Sequence, residues 1–440
     1  MKYAVARIAL YIFLLLAPLS MAAVFGPGGH GFLGELGRSF ALLAFTIVTM
    51  QFVLSARLSW IERPFGLDML FRFHKAMAVF ATVLLLLHPV LLAAGGAGWA
   101  LLIGFDVPWH IWLGRLVLLV LLTLVGISWF RLALCLEYER WRRWHNALAV
   151  LLLALGFVHS WNAGRDPTAG PLRFLWPGLV GAAALAYLYH RVVRPFWLWR
   201  HPYRVVEVIQ ETPEVWTIKL RPPEGRRLGD YLPGQFCFLT LKRGRGLPTE
   251  EHHWTISSSP TEQGFITFTI KESGDFTATI GQTRPGDTAA VLGPYGRFSY
   301  VLHPEEGDLI FIAGGIGITP LMSMLRHMRD TRADRCVLLI YANTTQSDIA
   351  FRDELAAIEA GASPRLQVIH ILSRPEAGWA GETGRLDRAK VERLCGKDVA
   401  DKAYYVCGPP AMMTAVLAIL QELGAAQSAV QVERFSLFEN

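Results

Sequence analysis

Four histidines stand in apolar surroundings at matched intervals: His74 and His88, then His145 and His159, each pair 14 residues apart. Fourteen residues are nearly four turns of α-helix, so each pair shares one helix face, with about 21 Å between its members along the axis. Imidazole is a versatile metal ligand, and polar groups in hydrocarbon are costly enough to be functional by default. On two helices running in the same direction, His74 faces His145 in one layer and His88 faces His159 in the other. Two stacked bis-histidine sites are what two haems on an electron path through a membrane require. One such histidine alone would read as packing against a carbonyl or a helix end; two pairs in register do not. His110 and His190 stand at the ends of apolar runs, where interfacial placement explains them.

A second chemical signal is Gly314-Gly315-Ile316-Gly317-Ile318-Thr319-Pro320. Glycines let a backbone approach a pyrophosphate, and a helix N-terminus directly after them offers free N–H groups. Thr319 is the expected N-cap and Pro320 the expected first helical residue. The five cysteines form no C-x-x-C, which excludes a cysteine-ligated zinc or iron–sulfur site and argues against a disulfide framework. Redox chemistry must then use histidine or an organic cofactor.

These groups need elements to position them. The chain has 440 residues, 52% of them hydrophobic and 18% charged, which excludes a mainly disordered protein. Residues 1–200 carry 17 Lys+Arg against 7 Asp+Glu, and residues 201–440 carry 25 against 29. The basic excess therefore lies between apolar runs and not on a soluble face, which rules out nucleic acid as a partner. Six runs, 4–25, 38–56, 72–94, 110–130, 145–163 and 173–190, each approach the ~20 residues that cross a bilayer. The first has features of a signal peptide, but it is long for one and the charge alternation works better with it retained. Arginine clusters after the second, fourth and sixth runs place the N-terminus and residues 201–440 in the cytoplasm of a multi-pass cell-membrane protein. The runs holding the histidine pairs then cross in the same direction.

Beyond residue 201 short strands punctuated by Gly and Pro predict a small antiparallel barrel. They are Val205–Ile209, Trp216–Leu220, Gln235–Leu241, Trp254–Ser258, Phe265–Lys271 and Thr288–Leu292. From 309 strands alternate with helices, the pattern of a doubly wound α/β sheet. The expected domains are a six-helix transmembrane bundle (1–195), an antiparallel β-barrel (201–302) and an α/β domain (305–440).

The segment His252-His253-Trp254-Thr255-Ile256-Ser257-Ser258 resembles the flavin-binding signature of the NADPH oxidase and ferric reductase family. Gly274-Asp275-Phe276-Thr277, Gly293-Pro294-Tyr295-Gly296, Gly314–Pro320, Cys407-Gly408-Pro409-Pro410 and Glu433-Arg434-Phe435 follow in matching order and spacing. With the histidine pairs, the resemblance to bacterial NADPH oxidases of the ferric-reductase-like transmembrane superfamily covers nearly the whole chain. The resemblance implies FAD, two haem b groups, NADPH (or NADH) and membrane lipid, with no obligatory protein partner. It sets Trp254 by the isoalloxazine, Thr255 at its N5 side and His252 near the phosphates, with Ile270, Lys271, Phe276 and Thr277 along the ribityl chain and pyrophosphate. Gly315, Gly317 and Thr319 would receive the pyridine nucleotide, with Cys407 and Gly408 beside the nicotinamide. Phe435 would cover the flavin and move aside for hydride transfer.

Three departures stand out. His253 replaces a proline common in relatives, a change expected to matter little. Thr344 replaces an arginine, while Ser373 and Arg374 restore a hydroxyl and a guanidinium for a 2′-phosphate. Leu92 stands where animal oxidases tend to place a histidine, whereas Arg38 keeps the pattern. The expected activity is transfer of electrons from cytoplasmic NADPH through FAD and both haems to external dioxygen, giving superoxide. A ferric-chelate reductase differs only at the outer mouth, and the short outer loops lean to oxygen. A membrane subunit delivering electrons to a protein or quinone, and a non-catalytic membrane protein regulated by a flavodomain, are the readings from other classes.

Overall fold

A backbone in hydrocarbon must satisfy its own N–H and C=O groups, and each apolar run does so as a helix. In a computed structural model that describes residues 2–28, 31–225, 230–244, 246–396 and 399–435, the helices are α1 (Lys2–Phe25), α2 (Phe32–Ser55), α3 (Leu67–Leu92), α4 (Trp109–Trp129), α5 (Tyr138–Ala163) and α6 (Leu172–Leu188). All six are long and apolar enough to cross a membrane. Three begin well before their apolar runs, α2 at Phe32, α3 at Leu67 and α5 at Tyr138. The first two turns of α5 are rich in arginine and tryptophan, so His145 sits in the third turn rather than at the start. After Leu92, α3 widens into a π-turn, Ala93–Ala97, which Gly96 breaks with φ 110°.

These helices form the first of two units, Met1–Arg194 and Pro195–Asn440. Small residues let α2 and α3 pack backbone to backbone. A Cβ on Gly37 would stand 3.1 Å from the His88 carbonyl oxygen, and one on Gly95 2.6 Å from the Gly34 nitrogen. Around this contact Ala44, Ile47 and Val48 of α2 interdigitate with Ala81 and Leu84 of α3, Val120 and Leu124 of α4 and Leu152 of α5. Large apolar side chains such as Leu119 and Leu185 project outward and exposed, as lipid-facing positions do.

The second unit begins with β1 (Tyr203–Thr212), β2 (Val215–Arg221), β3 (Phe236–Lys242), β4 (Glu251–Thr255), β5 (Ile266–Lys271) and β6 (Thr288–Tyr295). They form one antiparallel sheet in the order β4-β3-β6-β1-β2-β5. A bridge between Ile256 and Phe268 joins its outer strands and closes the barrel. Alternate residues point inward, so Leu239, Leu241, Ile218, Leu220, Phe268 and Ile270 fill the interior.

The α/β domain comprises β7 (Leu309–Gly314), α7 (Ile318–Thr331), β8 (Cys336–Asn343), α8 (Arg352–Glu359), β9 (Arg365–Leu372), β10 (Glu382–Thr383), α9 (Arg388–Cys395), β11 (Ala403–Cys407), α10 (Pro410–Glu422) and β12 (Val430–Glu433). Its parallel order is β10-β9-β8-β7-β11-β12. The chain reverses its winding between β7 and β11, and ligands of such sheets bind beyond the strand ends at that switch point. The sequence reading missed α10, β12 and the two-residue β10. Phe351, at φ 59°, stands immediately before α8 and sets its start at Arg352.

Helix α7 braces the sheet domain against the barrel. Ser323 Oγ donates to the Ser258 carbonyl at 2.7 Å and Arg326 Nη1 to the Ser257 carbonyl at 2.6 Å. The rest of the Arg326 fork grips Glu354 at 2.9 and 2.6 Å. Burial pushes the Glu354 carboxyl up, but Arg326 and Arg329 outweigh it and hold the group below the usual carboxylate range.

Candidate functional site

In the membrane unit α3 presents His74 and His88, and α5 presents His145 and His159. The rings of His74 and His145 face each other with centroids 6.3 Å apart. A metal–imidazole bond is about 2 Å, and the ring centre lies roughly 1 Å behind its nitrogen, so two axial rings on one ion stand about 6 Å centre to centre. His88 lies within electrostatic reach of His159. Among the described residues the backbones of α3 and α5 hardly approach each other, so the rings look across a gap.

Second partners fix the tautomers. His88 Nδ1 is 2.8 Å from the Gly37 carbonyl, and His159 Nδ1 is 2.8 Å from the His110 carbonyl. A carbonyl only accepts, so each Nδ1 carries the proton and each Nε2 keeps its lone pair, the state a metal ligand needs. His145 Nδ1 lies 3.1 Å from Ser128 Oγ. That hydroxyl spends its one proton on the Leu124 carbonyl at 2.7 Å and accepts from Trp141 Nε1–H at 3.2 Å. It therefore accepts from His145 as well, leaving Nε2 free. Among the described residues His74 Nδ1 is buried without a hydrogen-bond partner, so no second group fixes the tautomer of this ring.

Space around His159 depends on glycine. A Cβ on Gly114 would fall 2.5 Å from His159 Cε1. At the same end of α2 Arg38 makes a nearly buried ion pair with Asp166, its Nε donating to Oδ2 at 2.8 Å. The sequence reading missed Gly37, Gly114, Ser128 and Trp141. Trp141 was findable, because Trp141 and His145 are four apart and share a helix face; Ser128 gave no signal beyond one hydroxyl at the end of an apolar run.

In the second unit β4 carries the expected flavin segment. Alternation puts His252 and Trp254 on one face, where their rings stack at 5.4 Å. Phe276 completes the group, 4.3 Å from His252 and 5.9 Å from Trp254. His252 Nε2 bonds Glu250 at 3.0 Å. Thr255 is buried at the end of β4, opposite Phe236. Thr277 closes the Gly274 turn: its Oγ1 accepts from Ser273 N at 2.7 Å and donates to the Gly274 carbonyl at 3.1 Å. Ile270 points into the barrel core, and Lys271 Nζ is 3.4 Å from Glu214, so these two side chains are engaged away from the stack. Arg243, unforeseen from sequence, is buried with its guanidinium 4.8 Å from the Phe276 ring.

The glycine turn follows β7 at the switch point, as expected, but Thr319 is not the cap. A 3₁₀ turn over Gly315–Gly317 starts the helix sooner, so Thr319 is the second helical residue and its hydroxyl donates back to the Ile316 carbonyl at 3.1 Å. Gly315 has φ 51° and open space where a Cβ would point, whereas a Cβ on Gly317 would lie 2.2 Å from the Cys407 carbonyl oxygen. The turn thus sits against Cys407 and Gly408. Burial raises the Cys407 thiol well above its ordinary range, so it presents a neutral surface. At the neighbouring strand ends, Ser373 N and Arg374 N donate to the Asn343 and Thr344 carbonyls at 3.0 and 2.8 Å. Phe435 follows β12; its ring packs on the α/β core, and its carbonyl oxygen is 2.6 Å from His253 Nε2.

Three family descriptions match in the order of these units. Residues 202–300 match the oxidoreductase FAD-binding domain and 311–418 the oxidoreductase NAD-binding domain. Residues 40–156 match the ferric reductase like transmembrane component. The chain belongs to the ferric-reductase-like transmembrane oxidoreductases. The match to the ferric-reductase-like component contains His74, His88 and His145 and stops just short of His159. The chain is 30% identical to sulfhydrogenase 1 subunit gamma of Pyrococcus furiosus over 229 residues, 51% of this chain and 75% of that protein. It is 27% identical to NADH-cytochrome b5 reductase 1 of Mycosarcoma maydis, over 56% of this chain and 77% of that protein. The FAD/NAD-binding domain of a nitric oxide dioxygenase from Vibrio cholerae superposes with a TM-score of 0.48 at 21% identity, over 53% of this chain and 97% of that one. This ferric-reductase-like protein is a membrane, flavin-dependent electron-transfer oxidoreductase that uses NAD(P)H.

Proposed function

We propose that the chain is a transmembrane NADPH oxidase that carries electrons from cytoplasmic NAD(P)H to external dioxygen and forms superoxide. The observation that carries this reading is the facing of His74 and His145, 6.3 Å apart, repeated one layer away by two histidines whose Nδ1 protons are already committed. This donor set fits two haem b groups: His74 and His145 would hold the inner one and His88 and His159 the outer one. Bound FAD would supply two-electron hydride chemistry and one-electron release, and bound haems would supply a one-electron relay across the membrane. The protein's part is binding and orientation. Trp254 and Thr255 hold the isoalloxazine edge, while His252, Phe276, Thr277 and the strand carrying Ile270 and Lys271 follow the rest of the flavin. Gly315, Gly317 and Thr319 take the nucleotide pyrophosphate, Cys407 and Gly408 form the wall beside the nicotinamide, and Phe435 covers the flavin until displaced. The loop arginines support a cytoplasmic N-terminus and soluble unit. Asp166 neutralises Arg38, which favours an uncharged acceptor such as dioxygen over an anionic ferric chelate.

The reduced absorption spectrum of purified protein tests the first half of this reading, with two b-type haems per chain expected. Cytochrome c reduction sensitive to superoxide dismutase tests the second; an NADPH-dependent rate that superoxide dismutase leaves untouched overturns the oxidase assignment.

Two further outcomes follow. Ser128→Ala deprives His145 of its Nδ1 acceptor, and loss of such a partner typically costs 10- to 100-fold in metal affinity. The inner haem is expected to become substoichiometric and its midpoint potential to shift, with the outer haem unchanged in a redox titration. Arg374 offers the 2′-phosphate a charge-assisted bond worth roughly 1.5–3 kcal/mol, about ten- to a hundredfold. Arg374→Ala should raise the KM for NADPH by about that factor and leave NADH nearly unchanged; equal losses with both would remove NADPH as the preferred reductant.

A further inference from the structure

His253 was expected to be a neutral departure from its relatives, yet it bridges the two domains of the soluble unit. Alternation along β4 turns it away from His252 and Trp254, and its ring packs against Phe236 and Phe238 at 5.9 Å. Its Nε2 reaches the Phe435 carbonyl, 182 residues further on, at 2.6 Å. Because a carbonyl only accepts, Nε2 carries the proton. Phe435 has reason to be there: β12 runs parallel to β11 with Glu433 opposite Cys407, so the chain leaves the sheet beside the Cys407–Gly408 turn. Its ring contacts the α/β core, while its main chain is held from the barrel.

We propose that His253 is a positioning residue: by latching the Phe435 main chain it sets how readily a nicotinamide displaces the Phe435 ring. This rests on the reading that Phe435 covers the flavin. The ring and the nicotinamide compete for one place, so every increment that holds Phe435 in position is subtracted from nucleotide affinity. A hydrogen bond of this kind changes an equilibrium by roughly three- to tenfold.

The test titrates NADP+ into the full-length, detergent-solubilised holoenzyme and reads the flavin difference spectrum. His253→Phe, which keeps the ring packing and loses the donor, should lower the NADP+ Kd three- to tenfold. His253→Leu repeats the loss with a different shape, so one misfolded variant leaves the test standing, and flavin content reports folding for both. His253→Gln, which keeps an N–H donor, should restore much of the wild-type Kd. In a Phe435→Ala background His253→Phe should have no further effect, since the ring being positioned is gone. An unchanged or raised Kd in both donor-less variants overturns the latch, as does the same shift with Phe435→Ala present. If Phe435→Ala alone leaves the Kd unchanged, the placement of Phe435 over the flavin fails and the latch with it. If Phe435→Ala shifts the Kd and the His253 variants do not, only the latch fails.

Discussion

Replacing His88 or His159 by leucine is expected to remove one of the two haems and cut external acceptor reduction by more than about 100-fold. Leucine fills comparable space without a ligating nitrogen, so the change subtracts ligation and little packing. Axial ligand identity decides whether haem iron is held at all, and the remaining ring of the pair cannot supply both bonds. Flavin reduction by NAD(P)H should survive, because none of its residues lies in the membrane unit. A haem stain with stopped-flow flavin absorbance separates the two effects. Two haems retained in both variants would refute the layered pairing of His74 with His145 and His88 with His159.

Gly317→Ala is expected to cost almost as much at the other end of the path. The conformation at Gly317 is ordinary for any residue, with φ −61°, so the obstacle is space. A methyl group there would sit 2.2 Å from the Cys407 carbonyl oxygen and 2.5 Å from its carbon. Both atoms are main chain in a paired strand and cannot swing aside. Overpacking of this kind costs about 1–3 kcal/mol, and relieving it must part the glycine turn from the Cys407–Gly408 wall. NADPH-driven flavin reduction should fall more than about 100-fold, whereas dithionite should still reduce flavin and haem. A wild-type rate of flavin reduction would show that the nucleotide does not use this turn. Gly315→Ala makes a contrast, since its Cβ would meet open space and its burden is the backbone at φ 51°.

The elements were legible because strong periodic signals fixed them. Apolar length located all six long helices, the 14-residue spacing of the histidines gave their shared faces, and turn residues marked the change from barrel to doubly wound sheet. Motif order located the aromatic group of His252, Trp254 and Phe276. What stayed hidden depends on contacts between distant segments. Nothing near His88 announces the Gly37 carbonyl, and nothing near His159 announces Gly114. Thr319 looked like a cap because Ser and Thr favour that place, but Gly315, Ile316 and Gly317 tighten into a 3₁₀ turn and begin the helix before it. His253 was underrated because its partner lies 182 residues away. Ile270 and Lys271 were read along a strand whose side chains alternate, so one went to the core and the other to Glu214.

The two layers of histidine differ in how their orientation is inherited. The rings of His88 and His159 hang from the main-chain carbonyls of Gly37 and His110, and every amino acid has that carbonyl, so no change of codon at either position deletes the acceptor. The ring of His145 hangs from the hydroxyl of Ser128, which a single base change can erase or exchange. Drift and selection therefore have a direct handle on the ring of His145, while the rings of His88 and His159 are shielded from it and respond only when a helix itself is moved.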